Sequence, residues 1–159
     1  MAKQLRRDIR ALLLVPTTDL AIQVDERMQR LGFPALRPAQ SQLLTLVQDE
    51  GKRLTQLVDA MRLPKQTLGD MIDELERLKL VERYQDPDHG VIKRVRLAAR
   101  GRAWAAEVRK VAALTEARWA TALGKTKLKT LRGLLEELTA RLDGDDGKPG
   151  KPGKPNGKR

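Results

Sequence analysis

The sequence predicts a mainly α-helical fold with one small β-hairpin, and three patterns carry this prediction. Apolar residues recur at helical spacing over most of the chain, as in Leu20, Val24, Met28 and Leu31. Glycine and proline stand between the periodic segments, where helices begin or end. Residues 80–97, LVERYQDPDHGVIKRVRL, instead alternate apolar and polar positions around a run of turn-forming residues. With 159 residues, the chain is long enough to bury one core.

Two helices are predicted at the N-terminus, over residues 4–15 and 17–31. Pro16 lies between them and predicts a break, because proline has no amide N–H to continue the helical ladder. Thr17 or Thr18 is expected to cap the second helix through its hydroxyl.

The middle of the chain predicts a helix–turn–helix. A helix is expected from Pro38 to about Gln48, and two more over 54–61 and 64–80, joined by the tight connection Leu63-Pro64. In a DNA-binding protein this arrangement places the start of the second helix at the base edges of the major groove. A helical corner with a solvated face is the alternative interpretation.

Four polar residues near the start of helix 64–80 are the candidates for contact with DNA. Gln66 can pair with adenine, Thr67 can contact a base or a phosphate, and Asp70 can accept a hydrogen bond from cytosine. Lys65 adds a positive charge beside them. The helix as a whole nevertheless has a net charge of −1, because its three cations face four acids: Lys65, Arg77 and Lys79 against Asp70, Asp73, Glu74 and Glu76.

The hairpin over 80–97 follows this helix directly and makes the predicted unit winged. Its second strand carries three candidates for contact with DNA: Lys93, Arg94 and Arg96. Arg94 and Arg96 are expected to alternate outward and contact phosphates. A merely solvated strand is the alternative. His89, at the predicted tip, is interpreted as an exposed loop histidine, with phosphate contact or a pH response as the alternative.

Two helices are predicted after the hairpin, over residues 98–123 and 126–142, with Thr126 as the cap of the second. Trp104 and Trp119 share nearly one face of the first, so core or dimer-interface packing is expected and a ligand pocket is the alternative. Residues 143–159 repeat Lys-Pro-Gly and offer nothing to a core, which predicts a disordered basic tail.

The net charge and the residue composition favour some classes of function and exclude others. The net charge is +11, of which the segment GKPGKPGKPNGKR contributes five, and this excess favours a polyanionic partner such as double-stranded DNA. The sequence has no cysteine and one histidine, so thiolate chemistry and a conventional zinc site are excluded. No enzyme activity, metal or cofactor is expected. The sequence has no apolar run that could cross a membrane and no signal peptide pattern, so cytoplasmic residence is the default.

Three segments carry a family resemblance: GFPALRPAQSQLLTLV, then LTQLVDAMRLPKQTLGDMIDELERLKLVERY, then DPDHGVIKRVRLAARGRAW. Through them, residues 17–142 resemble the MarR family of winged-helix transcription regulators. The resemblance implies a homodimer formed by residues 1–36 and 98–142, a DNA-binding domain over 37–97, and two wings on a palindromic site. It also implies steric control of a promoter, with repression as the expected output, and in many members a small-molecule effector pocket whose residues this sequence does not identify.

The chain departs from the family pattern on its DNA-facing side. The family commonly has Asp-x-Arg at the wing tip, with the arginine entering the minor groove, and this sequence has His89-Gly90-Val91 there. Gly69-Asp70 stands where Ser-Arg is common, and Leu97-Ala98 where Leu-Thr is usual. These changes leave an alternative function open: a winged-helix protein-interaction or architectural module, with weak and non-specific DNA affinity supplied by the basic tail.

Overall fold

The computed structural model describes residues 8–47, 51–86, 90 and 93–145, with side chains up to residue 142. The described chain forms six helices and three short strands, and the predicted fold class is confirmed. In chain order these are α1 (Ile9–Arg30), α2 (Pro38–Leu46), β1 (Lys52–Arg53), α3 (Leu54–Met61), α4 (Lys65–Arg77), β2 (Val81–Gln85), β3 (Lys93–Leu97), α5 (Ala99–Leu123) and α6 (Lys125–Asp145). The chain divides into two compact units, Met1–Thr115 and Glu116–Arg159.

Helix α1 is continuous, so the predicted break at Pro16 is wrong. A proline inside a helix removes one backbone hydrogen bond, and the remaining ladder on both sides keeps the helical path. The Thr17 hydroxyl donates to the carbonyl oxygens of Leu13 (2.8 Å) and Leu14 (2.9 Å), so Thr17 is a helix-interior residue rather than a cap. The N-cap is Asp8, whose carboxylate accepts from the backbone N–H of Ala11 at 2.7 Å.

The helix–turn–helix consists of α3 and α4. Helix α3 ends at Met61, as predicted, because Arg62 adopts the left-handed conformation with φ 52°. Pro64 is the N-cap of α4, which ends at Arg77, three residues before the predicted end. There Lys79 turns the chain with φ 59° so that β2 can start at Val81.

The wing is a three-stranded antiparallel sheet in the order β1-β3-β2. The two strands of the predicted hairpin are present, but the third strand, β1, was not predicted because it is only two residues long. In the register, Arg53 of β1 and Tyr84 of β2 both lie opposite Arg94 of β3. Residues 87–89, 91 and 92, which include His89 and Val91 of the predicted tip, lie outside the described residues.

The start of α5 lies close to the backbone of Leu80, which follows the end of α4. The N–H of Ala98 donates to the carbonyl of Leu80 at 3.0 Å, and a Cβ on Gly101 would lie 1.9 Å from that same oxygen. Helix α6 begins at Lys125, so Thr126 lies inside the helix instead of capping it. It also continues to Asp145, two residues beyond the predicted start of the tail; residues 146–159 lie outside the described part.

The core of the first unit joins the buried sides of α1 to α5 and the sheet. Its most buried members have relative exposures of 1% or less: Leu43, Leu44, Val47, Leu57, Leu68, Ile72, Leu75, Leu80 and Val81. In the second unit, α6 leaves a row of leucines between 41% and 61% exposed: Leu131, Leu134, Leu135, Leu138 and Leu142. Of the described helices, none is long and apolar enough to cross a membrane.

Candidate nucleic-acid interface

The first two turns of α4 present polar side chains to solvent. Lys65, Gln66, Thr67 and Asp70 are all exposed, whereas Leu68 between them is fully buried. The alternation follows from helical geometry, since the apolar positions of α4 face the core and the intervening positions face away. The structure therefore brings the four predicted residues together on one accessible surface, which we call the α4 face.

Within the α4 face, Gln66 and Asp70 are paired. The Nε2 atom of Gln66 donates to Oδ1 of Asp70 at 2.9 Å, one helical turn away. The pair leaves the amide oxygen of Gln66 available as an acceptor, and it fixes which way the amide points. Asp70 is therefore both a negative charge on this surface and a partner that orients Gln66.

The remaining acids of α4 are occupied by arginines from neighbouring elements. Arg83 of β2 donates to Asp73 and to Glu76, each at 2.5 Å, and Glu74 pairs with Arg37 at the N-cap of α2. Burial lowers the pKa of Arg83, but the hydrogen bonds and negative charges of Asp73 and Glu76 together raise it. Three of the four carboxylates of helix 64–80 are thus ion-paired in the fold, by two arginines that lie outside the helix.

Both arginines predicted to contact phosphates lie on the outer side of β3. Val95 and Leu97 are buried, 2% and 5% exposed, so Arg94 and Arg96 alternate outward as the sequence predicted. The Nε atom of Arg96 donates to Glu82 at 2.6 Å, and its guanidinium lies 4.6 Å from the centre of the Tyr84 ring. Their contact with DNA remains a prediction.

Lys93, the third predicted residue of this strand, is exposed at the start of β3. It lies beside the wing tip, of which the structure describes Gly90 as an exposed turn residue. Its position suits a contact with backbone phosphates, and this role too remains a prediction.

Sequence reasoning missed Asp86 and Arg53, which the fold places beside Arg94. In the sequence, Asp86 belongs to the run of turn-forming residues, yet its carboxylate is completely buried in the fold. Its Oδ2 atom accepts from Nε of Arg53 and from Nε of Arg94, each at 2.9 Å. The hydrogen bond to Asp86 raises the pKa of Arg94. Burial lowers this pKa, but by less than the hydrogen bonds and charges raise it. No periodic signal marks Asp86 in the sequence, because it lies just beyond the last residue of β2.

A small cavity of about 60 Å³ lies in the first unit, between α1, the loop that follows it, and α5. Met28, Leu36 and Trp104 form its apolar side, and Asp25, Gln29 and Ser41 contribute polar groups. Trp104 is 3% exposed, in agreement with core packing. Among the residues that the structure describes, no group of three or more metal-ligating side chains converges.

Known proteins with a similar sequence pattern or fold belong to one family. The model of the MarR family matches residues 36–90. The crystal structure of MarR has 20% sequence identity and a TM-score of 0.67, covering 86% of this chain and 98% of that chain. A mutant of MepR from S. aureus bound to an oligodeoxyribonucleotide has 17% identity and a TM-score of 0.55, covering 86% and 99%. CouR from Rhodococcus jostii, bound to p-coumaroyl-CoA, has 23% identity and a TM-score of 0.61, covering 82% and 91%.

No curated protein matches the chain in sequence. At identities below 25%, the likeness to solved structures is one of fold, and the fold is that of MarR-type transcription regulators. Together with the family match over the helix–turn–helix and the first part of the wing, it confirms the resemblance predicted from the sequence.

Proposed function

We propose that this chain, whose fold is that of MarR-type regulators, is a homodimeric and sequence-specific DNA-binding transcription regulator without enzyme activity. The α4 face enters the major groove and the outer side of the wing lies along the sugar–phosphate backbone. The dimer occupies a palindromic site and blocks a promoter sterically, so the expected output is repression. Such a protein acts where the DNA is, which makes cytoplasmic residence part of the proposal.

The observation that carries the proposal is the state of charge around the α4 face. An acidic helix is repelled by phosphates, but Arg83 binds both Asp73 and Glu76, and Arg37 binds Glu74. Carboxylates in such ion pairs add less repulsion than free ones at distances beyond the ion pair itself. Lys65, Gln66 and Thr67 can therefore approach base edges, and Asp70 is the one acid of α4 that stays on the approaching surface.

The homodimer is supported by the exposed leucines of α6. A row of large apolar side chains on one helix face is unfavourable in water and is typical of an interface between chains. We propose that a second copy covers this row, as the family resemblance implies. Two α4 faces would then be related by a twofold axis and could read two half-sites.

A small-molecule effector is a further part of the proposal. Among the similar structures, CouR is described in complex with p-coumaroyl-CoA. The cavity beside Trp104, at about 60 Å³, is too small for a ligand of this size, so no residue of this chain is assigned to the effector. The chemical class of the effector is open.

The second candidate function is a protein-interaction or architectural module with weak, tail-driven affinity for DNA. Two observations favour it: Asp70 places a negative charge on the α4 face, and the sequence at the wing tip has no arginine. In this case the five positive charges of the tail would provide the affinity, and no DNA sequence would be preferred.

Fluorescence anisotropy separates the two functions. The full chain and a chain ending at Asp145 are titrated onto duplexes tiled across the DNA upstream of the chain's own gene, and onto shuffled duplexes, at several salt concentrations. A specific regulator binds one native duplex tightly in both forms and keeps this preference in competitor DNA. A tail-driven binder shows no preference, and it loses its affinity when residues 146–159 are removed or the salt concentration is raised.

A further inference from the structure

Three acids of α4 bind arginines that belong to neighbouring elements of the fold. Glu74 pairs with Arg37, the N-cap residue of α2. The guanidinium of Arg83 on β2 donates to Asp73 and to Glu76. The backbone N–H of Arg83 also donates to Oε1 of Glu76, at 3.0 Å. Helix α4 is therefore bound through its acids to α2 and to the wing.

Helical geometry places these pairs on opposite flanks of the α4 face. Successive residues of a helix are rotated by about 100° around its axis, because one turn takes 3.6 residues. Relative to Gln66, Glu74 therefore lies about 80° to one side and Glu76 about 80° to the other. Asp73 lies about 20° from Gln66, on the same side as Glu76. The two arginine pairs thus lie on either side of the residue that is proposed to read a base.

The apolar side of α4 is a single stripe, nearly opposite Gln66, formed by Leu68, Met71, Ile72 and Leu75. Hydrophobic burial is non-directional, so this stripe holds α4 against the core more firmly than it resists rotation about the helix axis. Hydrogen-bonded ion pairs, in contrast, depend on direction as well as distance. Two such pairs on opposite flanks oppose rotation in both senses, because a rotation that favours one pair stretches the other.

We propose that Glu74 and Glu76 are positioning residues that fix the rotation of α4 about its axis, and thereby determine which side chains meet the base edges. Glu74 acts through Arg37, and Glu76 acts together with Asp73 through Arg83. The inference rests on the proposed function and deepens it. It gives the acids of a DNA-reading helix a task, although phosphates repel them. The two glutamates themselves do not touch DNA.

A rotation of α4 should affect sequence preference more than overall affinity. Side chains end about 5–6 Å from a helix axis, so a rotation of about 20° displaces their ends by about 2 Å. A hydrogen bond from Gln66 to a base edge is lost over this distance. The flexible side chain of Lys65 can still reach a phosphate after such a displacement.

The test measures the ratio of the affinities for native and shuffled duplexes in full-length variants. Glu74→Ala and Glu76→Ala each remove a negative charge and introduce a good helix former. Both glutamate side chains are 39% exposed, so the variants should stay folded, which thermal unfolding checks.

Charge and positioning have different effects on this ratio. Removal of a negative charge alone should tighten binding to both duplexes by the same factor, because phosphate contacts carry no sequence information. Loss of positioning should lower the ratio, by roughly two- to fivefold for each alanine variant. The two losses should multiply in the double variant, because the pairs share no partner.

Two further variants serve as control and rescue. Asp59→Ala removes an exposed acid of α3 and should leave the ratio unchanged. Glu74→Arg should lower the ratio, since it places a like charge against Arg37. The exchange Arg37→Glu/Glu74→Arg keeps the net charge and rebuilds the pair in reverse, so it should recover the wild-type ratio. Recovery at equal stability identifies the pair, rather than the residue type at position 74, as the cause.

The outcomes separate this inference from the proposed function. A wild-type preference for the native duplex that falls in both alanine variants and recovers in the exchange supports the positioning role. If either alanine variant keeps the wild-type ratio, or if the exchange does not recover it, the positioning role is overturned and the regulator stands. A wild-type protein that prefers neither duplex overturns the specific regulator, and the positioning role with it.

Discussion

Gln66 donates a hydrogen bond to Asp70 across one turn of α4, and both side chains face solvent on the surface proposed to enter the major groove. A glutamine reads adenine by donating and accepting at the same time. Because Asp70 takes one amide hydrogen, it sets the orientation in which Gln66 meets a base. Specificity at this position should therefore depend on the pair rather than on Gln66 alone.

The first prediction concerns this pair. Gln66→Ala should weaken binding to the preferred native duplex by about 1–3 kcal/mol and change binding to shuffled DNA much less. Asp70→Asn should tighten binding to shuffled DNA by roughly two- to fivefold, because it removes a negative charge from the approaching surface. Competition against duplexes with single base-pair changes measures both effects. Equal losses on native and shuffled DNA for Gln66→Ala would show that Gln66 reads no base.

The second prediction concerns the close approach of α5 to the backbone of Leu80. A Cβ on Gly101 would lie 1.9 Å from the carbonyl oxygen of Leu80, a backbone atom that cannot move aside as the end of a side chain can. Gly101→Ala should therefore lower the free energy of unfolding by about 1–3 kcal/mol or more. The matched control is Gly133→Ala in α6, where no atom lies within 4 Å of the built Cβ. It should raise stability by about 0.5–1 kcal/mol through helix propensity.

Urea unfolding of the two glycine variants measures both shifts. Similar stabilities would mean that α5 does not start against Leu80. The control also shows that the expected loss at Gly101 arises from packing, since both glycines are helical and differ in what surrounds them.

The sequence predicted those parts of the fold that are determined by local pattern. Helix α3 and the strands of the hairpin follow from apolar spacing and turn residues, and the exposed positions of α4 follow from the same period. The continuity of α1 could not be predicted, because it depends on whether the surrounding helix tolerates one lost hydrogen bond at Pro16. Strand β1 could not be predicted either. A segment of two residues is too short to show an alternating pattern, and only its pairing with β3 makes it a strand.

The candidate site shows the same division. Lys65, Gln66, Thr67 and Asp70 share a helix, so their common surface can be derived from spacing alone. Asp86, in contrast, obtains its role from residues that are distant in sequence, and only the register of the sheet brings Arg53 to it.

The third prediction is a pH dependence that arises from Glu107. Hydrogen bonds from Lys110 (2.6 Å) and, to a lesser extent, from Arg27 lower the pKa of Glu107 below its ordinary value of 4.5. Burial raises this pKa, but by less. A carboxylate with a lowered folded-state pKa binds protons more readily in the unfolded chain. Its stabilising contribution is therefore complete above pH 4.5 and is lost as the pH falls through the folded-state pKa.

Glu107→Gln should consequently be less stable than the wild-type protein at neutral pH, and this difference should shrink as the pH falls below 4.5. Chemical unfolding of both proteins across this range measures the difference. Asp59→Asn, which removes an exposed carboxylate of α3, is the control and should leave the free energy of unfolding nearly unchanged. A difference between Glu107→Gln and wild type that is independent of pH would contradict the pairing of Glu107 with Lys110 and Arg27.

The fourth prediction concerns the proposed dimer and rests on α6. Leu131, Leu135, Leu138 and Leu142 recur at spacings of four, three and four residues, which places them on one helix face, and each is at least 41% exposed. Burial of such side chains against a second copy is favourable by about 1.5–3 kcal/mol for each one fully covered. Leu138→Glu would place a charge in this interface in both copies, and an unpaired buried charge is strongly unfavourable.

Leu138→Glu should therefore produce a monomer at concentrations where the wild-type protein is a dimer, as measured by sedimentation equilibrium or light scattering. Ala140→Glu introduces the same charge on nearly the opposite side of α6 and should leave the dimer intact. Because two α4 faces are needed to read two half-sites, Leu138→Glu should also lose affinity for the native duplex while Ala140→Glu keeps it. A monomeric wild-type protein, or two variants that both remain dimeric, would show that the exposed leucines of α6 do not form the interface.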